Sequence, residues 1–257
     1  MLRQILARRP SGLFLDIDGT ISHIAPTPAD AVVSPRARDA LARVRDKVDR
    51  LTFISGRGPR SAAEMVGLLG ANVAYVGNHG MSLLIGGRSV TPAEAVPFIE
   101  RVQEVVQELS SLLDAPGVLF EERGPLLTIH YRLAEDPEQA REIILRQVEK
   151  SGAAGGMELS EGRKIVELRP PLGITKGTAI ENLAREWELG SAVMMGDDIT
   201  DITAFDALRR LREYDDLETA SVAVLSGEAD PAVADAADYT VEGVASVEKL
   251  LEELSGE

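Results

Sequence analysis

Short apolar runs alternate with segments of helical periodicity in the first and last parts of the chain. The apolar runs predict strands at 12–17, 51–54, 73–76, 192–195, 221–225 and 239–241. Apolar residues at helical spacing predict helices at 35–48, 61–69, 176–187, 201–211 and 247–254. Strands that lack alternating polar residues are typical of a parallel sheet covered by helices on both faces, so this pattern predicts an α/β fold.

The middle of the chain has a different order of elements. The predicted elements are, in order, a helix at 93–113, strands at 118–121 and 126–131, a helix at 137–150, and strands at 157–160 and 164–168. Helix–strand–strand, repeated once, predicts helices on one face of an antiparallel sheet. We therefore expect an α/β core formed by residues 1–91 and 170–257, interrupted by an inserted α+β domain at 92–169.

The composition is that of an ordinary globular protein, but the charge is strongly negative. Of the 257 residues 44% are hydrophobic, and 27 basic side chains against 42 acidic ones give a net charge of −15. That charge repels nucleic acid and anionic membranes, so neither is a predicted partner. An anionic substrate has to be attracted by local cations or a metal ion, because the field of the whole chain opposes it.

Two further features bear on the compartment. The chain has no cysteine, which excludes disulfides and thiolate metal sites and suits the cytoplasm. No apolar run approaches the roughly 20 residues of a membrane-spanning helix. The arginines near the start precede only a short apolar run that Asp16 interrupts, so no secretory signal is predicted and we expect a cytoplasmic protein.

Asp16 and Asp18 follow the first predicted strand, in the sequence Asp-Ile-Asp-Gly-Thr. In open α/β sheets, ligands bind beyond the carboxyl ends of the strands. Two carboxylates at this spacing can both face the cleft, where one attacks phosphorus and the other transfers a proton. The same pentapeptide also suits an ordinary turn after a strand, shaped by Gly19 and Thr20.

Ser55, Gly56 and Arg57 directly follow the second predicted strand. A hydroxyl with exposed backbone N–H groups at a strand end favours a phosphate-binding loop. Alone, this tripeptide is equally compatible with an ordinary turn.

Lys176 lies at the start of a predicted helix, where the helix dipole favours negative charge over a cation. Such a local mismatch is expected of a functional residue, and a lysine there can neutralise both a phosphate and a nucleophilic carboxylate. A solvated surface lysine is the alternative interpretation.

Three acidic residues, Asp197, Asp198 and Asp201, follow the predicted strand at 192–195. Carboxylates this close repel each other unless a cation lies among them. Magnesium takes one or two carboxylates together with water and substrate phosphate, so this segment is a candidate Mg2+ site. An acidic loop that caps the next helix is the alternative.

The order and placement of these four segments resemble the haloacid-dehalogenase-like phosphatase superfamily. Its pattern is DxDGT, then Ser or Thr after a second strand, then Lys, then an acidic GDD-type motif. The resemblance implies a Rossmann-like core in which Asp16 is the nucleophile and Asp18 the general acid/base. It further implies that Ser55 and Lys176 bind phosphate, with Gly56 and Arg57 in the same loop.

The resemblance also implies a set of magnesium ligands. They are Asp16, Asp197 and the backbone carbonyl of Asp18, with Asp198 and Asp201 supporting the metal or Lys176.

The position of the inserted domain narrows the resemblance. It lies between Ser55 and Lys176, where this superfamily has its C2-type cap, and the segment before Ser55 holds only a loop and one helix. Within that branch, several stretches resemble trehalose-6-phosphate phosphatases. They are DIDGTISHIAPTPADAVVSP from Asp16, the turn Gly77-Asn78-His79-Gly80, Glu121-Glu122-Arg123-Gly124 leading to His130-Tyr131-Arg132, and Glu167-Leu168-Arg169-Pro170 leading to Gly173 and Lys176.

By this resemblance, Arg123 and Glu167 in the cap bind sugar hydroxyls, and Glu121 and Lys164 are further candidates. A solvated place on a charged strand is the alternative for each of them. The family usually has Lys where Arg123 stands, which keeps the charge but changes the geometry.

One further position departs from the family pattern, and two histidines are interpreted as structural residues. The family usually has an acid where Ile202 stands. His79 fits a structural turn residue better than a substrate contact, and His130 fits a packed strand residue better than a catalytic one.

The resemblance implies that the chain hydrolyses a small-molecule sugar phosphate, trehalose 6-phosphate first among them, through an aspartyl-phosphate. Sucrose 6-phosphate and mannosyl-3-phosphoglycerate are alternative substrates, and a phosphosugar mutase fits the cap position and motifs poorly. A non-catalytic phosphosugar-binding regulatory subunit is a further alternative, although such relatives usually lose the nucleophile that this chain retains. A trehalose-phosphate synthase is a candidate partner in the pathway.

Overall fold

The computed structural model describes residues 1–25, 30–162, 164–227 and 230–256. The chain forms two compact units: Met1–Val90 with Ile174–Glu257, here called the core unit, and Thr91–Gly173, here called the inserted unit. Position 163, within the last predicted strand pair, and positions 26–29, within the stretch that starts at Asp16, lie outside the described residues.

The elements follow in chain order. The strands are β1 (Ser11–Leu15), β2 (Arg50–Ile54), β3 (Val73–Gly77), β4 (Ser82–Ile85), β5 (Arg88–Val90), β6 (Leu119–Arg123), β7 (Leu126–His130), β8 (Glu158–Gly162), β9 (Ile165–Arg169), β10 (Ser191–Gly196), β11 (Glu218–Leu225) and β12 (Tyr239–Glu242). The helices are α1 (Leu2–Ile5), α2 (Pro35–Arg45), α3 (Pro59–Val66), α4 (Pro97–Leu109), α5 (Pro137–Lys150), α6 (Lys176–Glu186), α7 (Ile199–Tyr214), α8 (Pro231–Ala236) and α9 (Gly243–Ser255). None of the helices within the described ranges is long and apolar enough to cross a membrane.

The sheet of the core unit has the strand order β12-β11-β10-β1-β2-β3-β4-β5. Neighbouring strands from β12 to β3 are parallel, and β4 and β5 continue the sheet antiparallel. β1 lies between β10 and β2, with Leu15 in register with Met195 and Phe53. The carboxyl ends of these three strands therefore meet at one edge of the sheet.

Both faces of this sheet are covered, as the apolar strands require. Leu13 and Leu15 of β1 pack with residues of α2, α3 and α9, whereas Phe14 packs with α6 and α7 on the other face. All three side chains are fully buried. A strand buried on both faces cannot carry alternating polar residues, and the α/β fold predicted from that pattern is confirmed.

The inserted unit has an antiparallel sheet in the order β6-β7-β9-β8. One face packs against α4 and α5 through residues such as Val105, Ile144, Leu127 and Val166. Because side chains alternate along a strand, the residues between these apolar positions point to the opposite face.

Several elements differ from the sequence expectation, and the short helices α1 and α8 were not predicted. The hairpin β4–β5 was not predicted, although Gly86 and Gly87 between two short runs are a hairpin signal. Helix α4 begins at Pro97 and not at residue 93, because proline lacks an N–H and suits the first turn of a helix.

Candidate active site

Asp16 directly follows β1 at the centre of the sheet, and its backbone N–H donates to the Met195 carbonyl at 2.9 Å, which continues the β1–β10 ladder by one residue. Its side chain is buried although it is an acid, with the whole residue 4% exposed. A buried carboxylate needs partners, since an isolated ion in a protein interior is strongly unfavourable.

Lys176 is the main partner of Asp16. It is the first residue of α6, after the cap residue Thr175, and its Nζ donates to Asp16 Oδ1 at 2.7 Å and to Asp201 Oδ1 at 2.8 Å. Burial alone lowers the pKa of this lysine, but the two carboxylates outweigh burial and raise the pKa above its ordinary value. Lys176 therefore remains a cation, and it is not the solvated surface residue of the alternative interpretation.

Asp201 organises the loop after β10. It is completely buried in the first turn of α7. While one of its oxygens accepts from Lys176, the other accepts the backbone N–H groups of Asp197 and Asp198, both at 3.1 Å. This carboxylate thus ties the acidic loop and the lysine together.

Asp197 lies beside the loop that follows β1. Its Oδ1 accepts from the Thr20 hydroxyl at 3.1 Å. A Cβ on Gly19, whose φ is +93°, would lie 1.9 Å from Asp197 Oδ2. Gly19 is therefore required for the close approach as well as for its left-handed backbone.

Asp16, Asp197 and Asp201 each offer a carboxylate oxygen, and these oxygens lie within 4.8 Å of one another. Burial, reinforced by the neighbouring acids Asp201 and Asp197, raises the pKa of Asp16 well above its ordinary value although Lys176 opposes the rise. Burial and repulsion by Asp201 raise the pKa of Asp197 to about 7. Three acids around one lysine leave an excess of negative charge that a cation can neutralise.

Asp18 and Arg57 form a bidentate ion pair. Arg57 Nε donates to Asp18 Oδ2 at 2.6 Å, and the guanidinium NH2 group donates to Asp18 Oδ1 at 2.7 Å. The pair fixes the orientation of the carboxylate, because a planar guanidinium matches both of its oxygens. The sequence placed Arg57 on the phosphate side of the site and did not predict this partner.

Ser55 and Gly56 form the loop between β2 and Arg57. The Ser55 residue is buried, its N–H donates to the Val76 carbonyl at 2.9 Å, and its hydroxyl accepts the Arg57 N–H at 3.2 Å. This loop and the Asp16 segment follow neighbouring parallel strands, so both leave the sheet at the same edge.

Asp198 has a different environment from the other acids of its segment. It is exposed, and its side chain accepts the Ile199 N–H at 2.6 Å as the cap of α7. Asp198 thus caps α7, with Asp201 as its capping-box partner, and the other oxygen of Asp201 faces Lys176.

Arg123 and Glu167 lie together on the sheet of the inserted unit. Arg123 donates to Glu167 Oε2 at 2.7 Å and to the Thr128 hydroxyl, and its Nε lies 4.0 Å from Glu121 Oε2. Glu167 is only 6% exposed. Thr128 is the cross-strand neighbour of both Glu121 and Glu167, so these side chains share one face of the sheet.

The structure also shows the surroundings of three more residues that the sequence singled out. His130 Nε2 lies 2.8 Å from Glu121 Oε2. Lys164 pairs with exposed Glu138 on α5, and His79 has the positive φ of a tight turn. The sequence interpreted Thr20 only as a turn residue and did not single out Thr175, although a Thr directly before a helical Lys is a capping signal.

Comparison with known proteins shows the family of this chain. The family model described as trehalose-phosphatase matches residues 14–244. The chain is 33% identical over 211 residues to a trehalose-phosphate phosphatase of Mycolicibacterium paratuberculosis, covering 79% of this chain and 53% of that protein. It is 30% identical over 217 residues to an uncharacterized glycosyl hydrolase of Mycobacterium tuberculosis, covering 81% of this chain and 16% of that protein. The chain thus spans about half of the first relative and a smaller part of the second.

Solved structures with low sequence identity share the fold. A trehalose-6-phosphate phosphatase related protein has a TM-score of 0.74 at 24% identity, with 95% of this chain and 96% of that chain covered. A haloacid dehalogenase-like hydrolase from Bacteroides thetaiotaomicron has a TM-score of 0.67 at 17% identity, with 96% and 100% covered. The resemblance stated from the sequence is confirmed: the chain belongs to the trehalose-phosphatase family.

Proposed function

We propose that this chain is a phosphatase that hydrolyses trehalose 6-phosphate to trehalose and phosphate, with Asp16 as a covalent nucleophile. The observation that carries the proposal is the buried contact of Lys176 with both Asp16 and Asp201, at 2.7 and 2.8 Å. A structural salt bridge does not need a second and third buried acid beside it. A phosphoryl-transfer site does, because it assembles a nucleophile, a cation and a metal position in one place.

The donor set fits magnesium. Asp16 and Asp197 supply hard carboxylate oxygens, which magnesium prefers, and the carbonyl of Asp18 is the third protein ligand that we propose. Asp201 is engaged by Lys176 and two backbone N–H groups, so we assign it to holding the lysine and the loop. When bound, the ion would neutralise charge on the transferring phosphoryl group.

The reaction that we propose uses two carboxylates. One Asp16 oxygen forms a bond to phosphorus while the bond from phosphorus to the sugar oxygen breaks, and Asp18 gives its proton to that oxygen. Asp18 then takes a proton from water, which attacks phosphorus and releases phosphate from Asp16. Lys176 stabilises the charge of the phosphoryl group in both steps. Arg57 engages both oxygens of Asp18, so one of these oxygens has to leave the guanidinium and take up a proton before Asp18 acts as the acid.

In the proposed function, the inserted unit binds the sugar. We propose that Arg123 and Glu167 bind hydroxyl groups, since a buried ion pair presents donors and acceptors to a neutral polar ligand. With Arg in place of the usual Lys, the planar guanidinium donates in a fixed geometry and not from a single mobile ammonium.

The test is phosphate release from trehalose 6-phosphate, sucrose 6-phosphate and mannosyl-3-phosphoglycerate, with magnesium and with excess chelator. We expect preference for trehalose 6-phosphate, no turnover in chelator, and no turnover by Asp16→Asn, whose amide is a poor nucleophile. Magnesium should also raise the melting temperature of the wild type but not that of Asp197→Asn, because ligand binding to the folded state alone stabilises it. Full activity of Asp16→Asn would exclude the covalent mechanism, and equal rates on all three sugars would exclude the substrate assignment.

A further inference from the structure

The turn Gly77–Gly80 has an unusual backbone for its sequence. Asn78 and His79 both have a φ of 55°, and Gly80 has a φ of 112°. Two consecutive non-glycine residues in the left-handed region are unfavourable, and such strain persists only where the surrounding structure imposes it. The contacts of the turn show what imposes it.

On one side, the turn binds the backbone of the Ser55 loop. The Asn78 N–H donates to the Arg57 carbonyl at 2.9 Å, and the His79 N–H donates to the Ser55 carbonyl at 3.1 Å. A Cβ on Gly77 would lie 2.4 Å from the backbone nitrogen of Pro59, at the start of α3. The two backbones are therefore in direct contact.

The imidazole of His79 covers the middle of the same loop. A Cβ on Gly56 would lie 2.7 Å from both Cε1 and Nε2 of the ring. Gly56 has no positive φ to explain a glycine there, so the room that a side chain would need is taken by His79.

On its other side, the turn meets the start of α6. A Cβ on Gly80 would lie 2.6 Å from the carbonyl oxygen of Thr175. Thr175 caps α6 with its hydroxyl, and the next residue is Lys176. The turn is thus in contact with both the segment that carries Ser55 and the segment that carries Lys176.

We infer that the turn Gly77–Gly80 sets the separation of the Ser55 loop and Lys176, and that His79 is a positioning residue for the phosphate end of the site. The inference rests on the proposed function, because Ser55 and Lys176 matter together only if both bind one phosphoryl group. It also explains the strain: a relaxed turn would not hold Asn78 and His79 where their N–H groups reach the Ser55 loop.

The decisive variant is His79→Gly, which removes the ring and relieves the positive φ. We expect kcat/KM to fall about 100-fold, as for a small misplacement of catalytic groups. The fall should be equal for trehalose 6-phosphate and p-nitrophenyl phosphate, which share only the phosphate. The melting temperature of His79→Gly should stay the same or rise, because glycine relieves the positive φ. If the turn had only a structural role, the variant would gain stability while its kcat/KM stayed unchanged.

Matched glycine variants distinguish the effect of the contact with Thr175 on turnover from the effect of backbone strain. Gly80→Ala and Gly86→Ala both place alanine at a positive φ, but a Cβ on Gly86, at 55°, meets nothing within 4 Å. We expect Gly80→Ala to lower turnover and Gly86→Ala to leave it unchanged. Gly56→Ala should also lower turnover. The double variant with His79→Gly should lose less than the two single losses combined, because the clash between the new Cβ and the ring is then absent.

Calorimetry with inorganic phosphate and magnesium distinguishes failure of this inference from failure of the proposed function. A wild type that hydrolyses no phosphate ester refutes the function, and weaker phosphate binding by His79→Gly would still support the inference. Unchanged phosphate affinity in His79→Gly, or no phosphate binding by the wild type, would overturn it. So would equal kinetics of Gly80→Ala and Gly86→Ala in an active enzyme.

Discussion

The core unit and the inserted unit both bury charged side chains, but they balance the charge differently. In the core unit the three buried acids Asp16, Asp197 and Asp201 cluster around Lys176. In the inserted unit Arg123 faces one buried carboxylate, that of Glu167, while the Glu121 side chain is 51% exposed. Removing charges from water is costly in both places, and only a partner of opposite charge offsets the cost.

This difference indicates what each unit lacks. The core site has more buried negative than positive charge, so it is suited to a metal ion beside the anionic phosphate. The pair in the inserted unit is already balanced, so a further ion would gain little there, whereas hydroxyl groups can bind without adding charge. This difference is in line with the roles proposed above, the metal ion and the phosphate for the core unit and hydroxyl groups for Arg123 and Glu167.

The largest effect should come from removing the cation of the unbalanced site. Lys176→Met should lower kcat about 100- to 1,000-fold, the usual loss for one group that stabilises charge in the transition state. Without magnesium it should also lower the free energy of unfolding by about 3–5 kcal/mol, because two buried carboxylates lose their partner. Phosphate-release kinetics and urea unfolding measure the two effects.

Lys249→Met is the matched control, since Lys249 is exposed on α9. It should change neither quantity measurably. If Lys176→Met unfolds at the same urea concentration as Lys249→Met, Asp16 and Asp201 do not depend on the lysine and the comparison between the units fails.

The balanced pair should give a smaller, substrate-dependent effect. Glu167→Ala should lower turnover of trehalose 6-phosphate about 10- to 150-fold, which corresponds to about 1.5–3 kcal/mol for a hydrogen bond to a charged group. Both kcat and KM should change, because distant binding energy helps to position the reacting group. Turnover of p-nitrophenyl phosphate, which has no sugar, should hardly change.

The control in the same sheet is Glu161→Ala, which removes an exposed ion pair with Arg141 on α5. It should have almost no effect on either substrate, as is usual for surface pairs. An equal loss on both substrates in Glu167→Ala would mean that the pair with Arg123 is structural.

The sequence predicted the core site better than the inserted one for a topological reason. Asp16, Ser55 and Asp197 each follow a strand, and parallel strands bring their carboxyl ends to one edge whatever the details of the loops. Arg123 and Glu167 lie on β6 and β9, which are separated by β7. Strand order within an antiparallel sheet is not encoded in local periodicity, so their contact could not be derived from the sequence.

Side-chain pairing could not be predicted from the sequence either, where a residue had two plausible partners. Arg57 suits phosphate and carboxylate equally well by charge, and only the loop geometry pairs it with Asp18. Asp198 and Asp201 are three residues apart in one acidic run, but one caps α7 and the other is buried against Lys176. The capping preference of Asp was visible, yet the direction of each side chain depends on where α7 begins.

The smallest expected effect, on the free energy of unfolding, concerns Asp238, a charged residue that takes no part in the proposed chemistry. Its carboxylate accepts the N–H and hydroxyl of Ser221, both at 2.9 Å, and a guanidinium N–H of Arg212 at 3.0 Å. Burial alone raises the pKa of Asp238, but these donors outweigh burial and the pKa lies below the ordinary 3.8.

A carboxylate whose pKa is lowered by folding stabilises the folded protein at a pH above its unfolded pKa. That contribution is lost as the pH falls through the folded pKa. Asp238→Asn should therefore cost about 1 kcal/mol or less near pH 7, since the group is largely solvent-screened, and still less as the pH falls below the ordinary pKa of 3.8. Urea unfolding across this range, with exposed Asp235→Asn as the control, measures the difference. A cost that is constant with pH would show that the bonds to Ser221 and Arg212 do not depend on the charge. A cost that changes with magnesium would mean that the charges of the core unit are coupled, and that the unbalanced cluster is not confined to Asp16, Asp197 and Asp201.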